Sequence, residues 1–339
     1  MPDGTTVEPR QDTGARRIRW GILATGNIAQ SFAADLKLLP AAELAAVGSR
    51  SSASAERFAA ALGGIRAYGS YAELAEDPDL DVIYVATPHG RHVEDVMTCF
   101  QAGKAVLCEK ALTLDAASAR RLVDEARRRR LFFAEAMWTR TLPAVRRAVH
   151  LARSGHCGSV RSVRADLGFV APADPASRLW DPDLGASALL DVGIYPLTFA
   201  YLVLGRPNVV TSTAVLDERG VDVNGGALLT YDCGAVASVS WTQTAWSDSR
   251  ASIAGDEGRI ELPSRFHQAR TLTCTANQDS DTFHETAHGN GYTYEALEVM
   301  RCLREGLTES PLLPLDETVE ILQLTDLVRA QWATRERDD

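Results

Sequence analysis

Short apolar runs alternate with helical stretches from Arg17 to about Arg140, and no other feature of the sequence restricts the fold as strongly. Such alternation is typical of a parallel sheet covered by helices. We predict strands at 20–23, 44–47, 82–86, 105–107 and 131–134, and helices at 28–38, 53–62, 92–102 and 116–129. These elements predict an α/β fold with a doubly wound Rossmann sheet, whose ligand crevice lies beyond the carboxyl ends of the strands.

A change of pattern near residue 140 predicts a second domain. The strands become longer, and some alternate apolar with polar residues at hairpin spacing. We predict them at 160–170, 209–216, 227–231 and 235–241, followed by amphipathic helices at about 292–305 and 316–334. The pattern indicates a large, open, mostly antiparallel sheet with helices on one face. The last helix is expected to pack near the first domain and tether the two halves.

The predicted organisation has three parts. Residues 1–15 are polar and rich in Gly, Pro and Thr, so we expect a disordered tail. Residues 16–138 form the nucleotide-binding Rossmann domain. Residues 139–339 form an α/β domain for substrate binding and oligomerisation.

Composition argues against several classes of partner. The 339 residues carry a formal net charge of -10, whereas nucleic-acid binding needs clustered Lys and Arg to neutralise phosphates. No apolar run approaches the roughly 20 residues of a membrane helix, so we expect no membrane partner. The six cysteines lie far apart and form no CxxC pair, which predicts free thiols, no metal site and a reducing cytoplasm.

A glycine turn after the first strand predicts dinucleotide binding. In the frame G-x-G-x-x-G/A, the three small residues fall on Ala24, Gly26 and Ala29. Alanine replaces the first glycine, but Gly26 stands where close approach to a phosphate matters most. The residues expected to bind the cofactor here are Ala24, Thr25, Gly26, Asn27 and Ile28. A tight strand–helix turn without a ligand is the alternative at this point.

The end of the second strand predicts which dinucleotide is bound. An enzyme that selects NAD(H) normally places Asp or Glu there, on the ribose 2′-hydroxyl. Here the sequence has Ser49 and Arg50 instead. A hydroxyl and a guanidinium suit a 2′-phosphate, so we predict NADP(H) in preference to NAD(H). The alternative is that Arg50 is an exposed loop residue.

Four further segments, taken with the turn at Gly26, carry a resemblance to a known family. They are Ala86-Thr87-Pro88-His89-Gly90-Arg91-His92, Cys108-Glu109-Lys110-Ala111, Glu135-Ala136-Met137-Trp138-Thr139-Arg140 and Leu190-Asp191-Val192-Gly193-Ile194-Tyr195-Pro196. Their order resembles the Gfo/Idh/MocA family of oxidoreductases over nearly the whole chain from Arg17. The last two segments look most like the branch that holds dimeric dihydrodiol dehydrogenases and NADP-dependent D-xylose dehydrogenases.

The resemblance implies roles for particular residues. Lys110, in a Glu-Lys-Pro motif whose proline is replaced by Ala111, is expected to bind the reacting oxygen and position the nicotinamide. Tyr195, where many relatives have histidine, is the expected acid–base group. Cofactor contacts are implied for Thr87, Pro88, His92, Glu109, Lys110, Trp138 and Arg140, and substrate contacts for His89, Trp180, Asp191 and Tyr195.

The chemistry can also be argued from the residues themselves. Hydride loss from a carbinol carbon requires a group that takes the hydroxyl proton and a donor that stabilises negative charge. Tyrosine, with a reference pKa near 10, is a poor base by itself. A nearby ammonium favours the phenolate, so Lys110 and Tyr195 make a sensible pair. Asp191 would orient the lysine or a substrate hydroxyl. A surface role for Lys110 and a packing role for Tyr195 are the alternatives.

We therefore predict an NADP(H)-dependent oxidoreductase that acts on a hydroxyl or carbonyl carbon of a sugar or vicinal diol. A keto-sugar reductase, acting on a substrate that is nucleotide-linked or free, is the alternative among enzymes. A regulator that senses NADP(H) without turnover is the alternative outside enzymes, although binding alone needs neither Lys110 nor Tyr195. The resemblance also implies a homodimer or homotetramer formed through the C-terminal sheet.

Overall fold

The computed structural model describes residues 16–174, 177–276, 279–286 and 288–332. The predicted tail, residues 1–15, lies outside this part of the chain. Two compact units are present. The Rossmann unit contains the described residues up to Thr141 together with 288–319. The sheet unit contains Leu142–Thr286 and the residues from Glu320 onwards.

The Rossmann unit has a six-stranded sheet whose paired strands all run parallel. Its strands are β1 (Ile18–Leu23), β2 (Ala42–Gly48), β3 (Arg66–Tyr68), β4 (Val82–Val85), β5 (Ala105–Glu109) and β6 (Phe133–Ala136). Their order is β3-β2-β1-β4-β5-β6, so the sheet reverses its winding between β1 and β4. Such a switch point is where doubly wound sheets bind their ligands.

Five helices follow the strands in the chain: α1 (Asn27–Leu36), α2 (Ser52–Ala61), α3 (Tyr71–Glu76), α4 (His92–Gln101) and α5 (Ala116–Arg129). Every residue of β4 is buried, as a central parallel strand requires. The core includes Phe32, whose ring stacks on Tyr84 at 3.8 Å between centroids. Asp115 begins α5 by accepting the Ser118 N–H, and Arg130 ends it in the left-handed conformation.

A late helix also belongs to the Rossmann unit. This helix, α8 (Tyr292–Arg304), packs against α1. Its first turn is fixed by Asp35, which accepts hydrogen bonds from five N–H groups on Asn290, Gly291, Tyr292 and Thr293. The sequence prediction put residues 139–339 in the second domain, whereas residues 288–319 group with the first. The contact responsible joins residues about 255 positions apart in the chain, which no local pattern reveals.

The sheet unit has eight strands: β7 (Val160–Gly168), β8 (Val209–Leu216), β9 (Asp222–Thr230), β10 (Val236–Thr242), β11 (Ala251–Gly255), β12 (Gly258–Leu262), β13 (Thr271–Ala276) and β14 (Asp279–His284). Their order is β14-β13-β12-β11-β7-β10-β9-β8. The pairing of β7 with β10 is parallel and the other pairings are antiparallel. Helices α6 (Pro143–Arg153) and α7 (Ile194–Leu204) pack on one face.

The other face of this sheet is partly apolar. Exposed valine and leucine side chains cluster on the β8–β10 end, at Val209, Val215, Leu228 and Val236. Towards β7 the face becomes polar, with the exposed Arg164 paired to Ser238 of β10. The two ends of this free face therefore differ in chemistry.

The remaining helix, α9 (Leu315–Ala330), crosses the boundary between the units after Val319. The expectation that no apolar run approaches membrane-helix length needs a correction. The helical stretch Pro182–Leu204 is long and apolar enough by length and composition. However, 89% of its most apolar window is buried inside the protein, which is typical of a core helix.

Candidate active site

The turn between β1 and α1 has the shape that a pyrophosphate needs. Ala24 has a positive φ of 93° and donates its N–H to Gly48 O at 2.9 Å. Gly26 precedes the first residue of α1, and no side chain caps that end. A Cβ added to Gly26 would meet no atom of the described residues within 4 Å other than its chain neighbours, so the helix N-terminus is open there. Open N–H groups at a helix N-terminus bind phosphate well.

The loop after β2 places two predicted residues side by side. Ser49 is buried, and its hydroxyl accepts the Ser51 N–H at 3.4 Å. Arg50 is exposed and lies near Tyr71, whose pKa is raised mainly by burial. The next helix, α2, has no acidic residue in its first turn. This loop therefore offers a cation beside a helix N-terminus, without a carboxylate in that first turn.

His92 connects the loops that follow β4 and β5. Its side chain is fully buried. The carbonyl oxygens of Ala111 and Leu112 lie 3.1 Å from Nδ1, and that of Thr87 lies 2.8 Å from Nε2. Burial lowers the pKa of this imidazole. These contacts make His92 a positioning residue for the loop that carries Lys110, and its contact with the cofactor stays a prediction.

His89 lies in the same arrangement. It is buried, and its Nε2 lies 3.0 Å from the carbonyl oxygen of Lys110. Pro88 beside it is half-buried, and Thr87 is buried. The structure thus brings His89 to the backbone of Lys110, and its contact with the substrate stays a prediction.

Glu109 fixes the backbone at Lys110 from inside the unit. Its carboxylate accepts a hydrogen bond from the Tyr84 hydroxyl and another, at 3.2 Å, from the Lys110 N–H. Glu109 and Tyr84 are both buried. The peptide bond between Lys110 and Ala111 is cis.

Glu295, on α8, is a buried acid that the sequence did not single out. It is 0% exposed, and neither carboxylate oxygen has a hydrogen-bond partner in the described part of the chain. Burial raises its pKa well above the usual range, and the nearby Glu109 and Asp35 carboxylates raise it further. Glu109 and Asp35 both accept N–H or O–H donors, so Glu295 is the member of the three whose surroundings most favour the neutral form.

Glu135, on β6, is a second acid that the prediction missed. Strand β6 lies beside β5, with Cys108 opposite Glu135. The Glu135 carboxylate accepts the Leu112 N–H at 2.9 Å and the Thr318 hydroxyl at 3.1 Å. Burial raises its pKa, while nearby Arg140 and Lys110 act in the opposite direction. The sequence signal that could have identified Glu135 is its position at the start of Glu135–Arg140, one of the segments that carry the family resemblance.

Arg140 and Trp138 follow β6 in one 3₁₀ turn. The Arg140 guanidinium is 6% exposed and donates through Nη2 to Glu317. Its Nε and Nη1 have no acceptor among the residues that the structure describes. The Trp138 ring packs on Tyr292, with 4.6 Å between centroids. Unpaired buried donors and the open turn at Gly26 fit a dinucleotide cofactor.

In the sheet unit, Asp191 lies in a π-helical turn, Leu189–Gly193, that leads directly into α7. Turns of this kind are common at functional sites. Asp191 is buried and accepts a hydrogen bond from Arg178 Nη1 at 3.0 Å. The prediction had expected it to orient the lysine or a substrate hydroxyl. Trp180, in the same loop as Arg178, donates its indole N–H to Pro172 O at 2.7 Å.

Asp222 holds the start of the π-helical turn in place. Its carboxylate accepts the Ser187 hydroxyl at 2.5 Å and the Leu189 N–H at 2.7 Å. The Trp241 indole N–H also reaches it, at 3.3 Å. A Cβ on Gly193 would lie 2.9 Å from the Trp241 indole, so glycine is required there.

Tyr195 is 6% exposed and contacts His267. The ring centroids are 5.2 Å apart and the ring planes tilt by 51°. No motif in the sequence links His267 to Tyr195, since 72 positions separate the two residues in the chain. Within the described residues, no group of three or more His, Cys, Asp or Glu side chains could hold a metal ion.

Comparison with known proteins gives the family. The profile of the Gfo/Idh/MocA oxidoreductases, with an NAD-binding Rossmann fold, matches residues 18–136. The profile of the C-terminal domain of that family matches residues 145–261. Trans-1,2-dihydrobenzene-1,2-diol dehydrogenase of Bos taurus is 36% identical over 324 residues, which is 92% of this chain and 96% of that protein. The Homo sapiens protein of the same name is 36% identical over 322 residues, again 92% of this chain and 96% of that protein.

Solved structures of other enzymes have the same fold as this chain. A 3-ketoreductase from Actinomadura kijaniata, in complex with NADP and TDP-benzene, has a TM-score of 0.82 and 28% identity, and covers 93% of this chain and 98% of its own. An aldose-aldose oxidoreductase from Caulobacter crescentus shares the fold, with a TM-score of 0.85, 22% identity and coverage of 95% and 98%. The chain belongs to the Gfo/Idh/MocA family of NAD(P)-dependent oxidoreductases.

Proposed function

We propose that this enzyme is an NADP(H)-linked dehydrogenase of vicinal diols or sugars, reversible between hydroxyl and carbonyl. The observation that carries the proposal is the anchoring of Lys110. Its N–H is held by buried Glu109 and its carbonyl lies against His89, at the carboxyl edge of a Rossmann sheet. Diol dehydrogenases are 36% identical over most of this chain, which supports a diol or sugar substrate.

The proposed chemistry divides between two side chains. A bound nicotinamide supplies the hydride acceptor or donor. Tyr195 takes the hydroxyl proton during oxidation and returns it during reduction. Lys110 stabilises negative charge on the reacting oxygen. Asp191, paired with Arg178, keeps the π-helical turn before Tyr195 in one arrangement.

The proposed cofactor preference is NADP(H) over NAD(H). It is supported by exposed Arg50 at the end of β2 and by the lack of an acidic residue in the first turn of α2. Arg140, with two buried donors directed at no described acceptor, is proposed to bind the cofactor. Trp138, in the same 3₁₀ turn, is 5% exposed, and we propose that its side chain lines the nicotinamide site.

Assembly and location complete the proposal. We propose a homodimer, or a pair of dimers, formed through the free face of the eight-stranded sheet. Support comes from Val209, Val215, Leu228 and Val236, which expose apolar surface on that face. A cytoplasmic location is proposed because all six cysteines are free thiols.

A keto-sugar reductase is the second candidate, favoured by the 28% identity to a 3-ketoreductase. Nicotinamide absorbance with a panel of diols, sugars and keto-sugars separates the two functions. Turnover of diols or sugars supports the dehydrogenase, and turnover of keto-sugars alone supports the reductase. Tight NADP binding without any turnover would point to a sensor.

The roles of the two side chains are tested with Lys110→Met and Tyr195→Phe. Each variant is expected to lower kcat by about 10²- to 10⁴-fold while it still binds NADP(H). Lys104→Met is a matched control, because the Lys104 ammonium is occupied by the Asp77 and Leu80 carbonyls. Normal kcat in either active-site variant would exclude the proposed chemistry.

A further inference from the structure

His267 and Tyr195 are brought together by two contacts on one face of α7. His267 lies in a 3₁₀ turn, Phe266–Gln268, between β12 and β13. Phe266 packs against Phe199 with 5.7 Å between ring centroids. His267 packs against Tyr195, which lies four residues before Phe199. Residues four apart share a helix face, so consecutive residues of the turn contact consecutive turns of α7.

The backbone fixes the direction of this turn. Arg265 enters it in the left-handed conformation, with φ of 63°. The Phe266 N–H donates to Ser249 O at 2.9 Å, and Ser249 is itself held by Asp166, which accepts its N–H at 2.8 Å. Phe266 is fully buried, whereas His267 is only half-buried. The anchor of the turn is therefore the phenylalanine, and the imidazole does not serve as its core contact.

A half-buried imidazole beside the proposed acid–base phenol has a specific chemical use. In the proposed chemistry, Tyr195 contacts the oxygen of the reacting carbon. In a vicinal diol or a sugar, a second hydroxyl lies on the adjacent carbon, close to the first. An imidazole can donate or accept a hydrogen bond to such a hydroxyl, whereas a phenyl ring cannot.

We propose that His267 is a specificity residue, whose imidazole binds the hydroxyl next to the one that Tyr195 serves. The inference rests on the proposed function and deepens it, because it restricts the substrate to compounds with adjacent hydroxyls. A simple alcohol satisfies Tyr195 but leaves the imidazole without its ligand. Sites built to bind a hydroxyl discriminate against analogues that lack it.

The test compares trans-1,2-cyclohexanediol with cyclohexanol, using kcat/KM for each with NADP. The wild-type enzyme is expected to prefer the diol. His267→Phe keeps an aromatic ring against Tyr195 but removes the hydrogen bond. It should lower kcat/KM for the diol by about 3- to 10-fold and leave the value for cyclohexanol within about twofold. His267→Gln, which retains hydrogen-bonding groups, should keep more of the preference than His267→Phe.

His156→Phe is the matched control, because His156 is exposed in a turn of the same unit. An unchanged diol-to-alcohol ratio in His267→Phe would overturn this inference alone. An equal loss on both substrates would also overturn it, because a residue that only orients Tyr195 produces that result. No turnover by the wild-type enzyme on either compound, or on any diol or sugar of the panel, would overturn the proposed function as well.

Discussion

The Tyr84 hydroxyl donates a hydrogen bond to the Glu109 carboxylate inside the core of the Rossmann unit. The same carboxylate accepts the N–H of Lys110. Burial, and then the charge of Glu109, raises the pKa of Tyr84 well above its ordinary value, so the phenol remains a donor. The buried pair of Tyr84 and Glu109 thus holds the backbone of Lys110, the residue proposed to act on the reacting oxygen.

Tyr84→Phe should destabilise the protein by about 1–3 kcal/mol, because a buried carboxylate loses a donor. It should also lower kcat, since Glu109 becomes free to move with the Lys110 backbone. Denaturant unfolding and steady-state kinetics measure the two effects. Tyr68→Phe is the control, because the Tyr68 hydroxyl also donates to a carboxylate, that of Asp77, but on a half-buried residue. Equal effects from both substitutions would contradict the role given to Tyr84.

Glu295→Gln should become relatively more stabilising as the pH rises. An acid with a raised pKa stays protonated in the folded state but ionises in the unfolded chain above pH 4.5, its ordinary value. The folded wild-type protein therefore loses stability with rising pH, by at most about 1.4 kcal/mol per unit from this group. Glutamine does not ionise.

Urea unfolding at several pH values between 5 and 8 measures the difference between variant and wild type. The exposed carboxyl of Glu56 provides the control, since Glu56→Gln should show a nearly constant difference. A flat difference for Glu295→Gln as well would mean that Glu295 ionises in the folded protein.

Gly193→Ala should destabilise the sheet unit by about 1–3 kcal/mol, because its Cβ would lie 2.9 Å from the buried Trp241 indole. Activity should fall with stability, since Gly193 ends the turn before Tyr195. Trp241→Ala removes Cγ and Cδ2, the two indole carbons that the Cβ would meet, so the double variant should be more stable than the sum of the single effects predicts. Simple additivity in thermal unfolding would show that the indole is not the obstacle.

Arg50→Ala should raise KM for NADP by about 10- to 100-fold, the cost of a lost charged hydrogen bond, and leave KM for NAD nearly unchanged. Cofactor titrations at fixed substrate give both values. Arg57→Ala, on the exposed side of α2, should change neither. If KM for the two cofactors rose together, the 2′-phosphate contact would be excluded.

Leu228→Asp should dissociate the proposed dimer, because it puts a charge in the middle of the apolar end of the free face. Sedimentation at micromolar protein concentration measures the mass. Leu38→Asp, at an exposed leucine of the Rossmann unit, should leave the assembly unchanged. A wild-type protein that sediments as a monomer would refute the dimer directly.

The helices and strands with a strong hydrophobic period or clear end signals could be predicted from the sequence. Helix α5 was predicted with its observed ends, 116–129, because its cap and basic last turn are local signals. Strand β3 and helix α3 were missed. Two of the three residues of β3 are exposed, so no apolar alternation marks it. Strands β11 to β14 were also missed, and β14 has no buried residue to mark it.

The residues of the candidate site also divide into those that a sequence motif marks and those that no motif marks. Gly26, Lys110 and Tyr195 lie in motifs, so pattern alone could select them. Glu295 and His267 have no motif of their own, and they matter through partners far away in the chain. The cofactor contact of His92 was predicted from the family resemblance and stays a prediction, whereas its three backbone carbonyl partners could not be predicted from the sequence.

The hydrogen bonds between Asp35 and the start of α8 decide which fragment of the chain contains the complete nucleotide-binding unit. A fragment that ends after β6 would encode every strand of the nucleotide sheet yet leave the Asp35 carboxylate facing solvent, with one flank of α1 bare. Fusion of such a fragment to another catalytic domain would transfer an incomplete nucleotide-binding unit. The smallest transferable piece must carry the 288–319 segment with it, joined through a new linker.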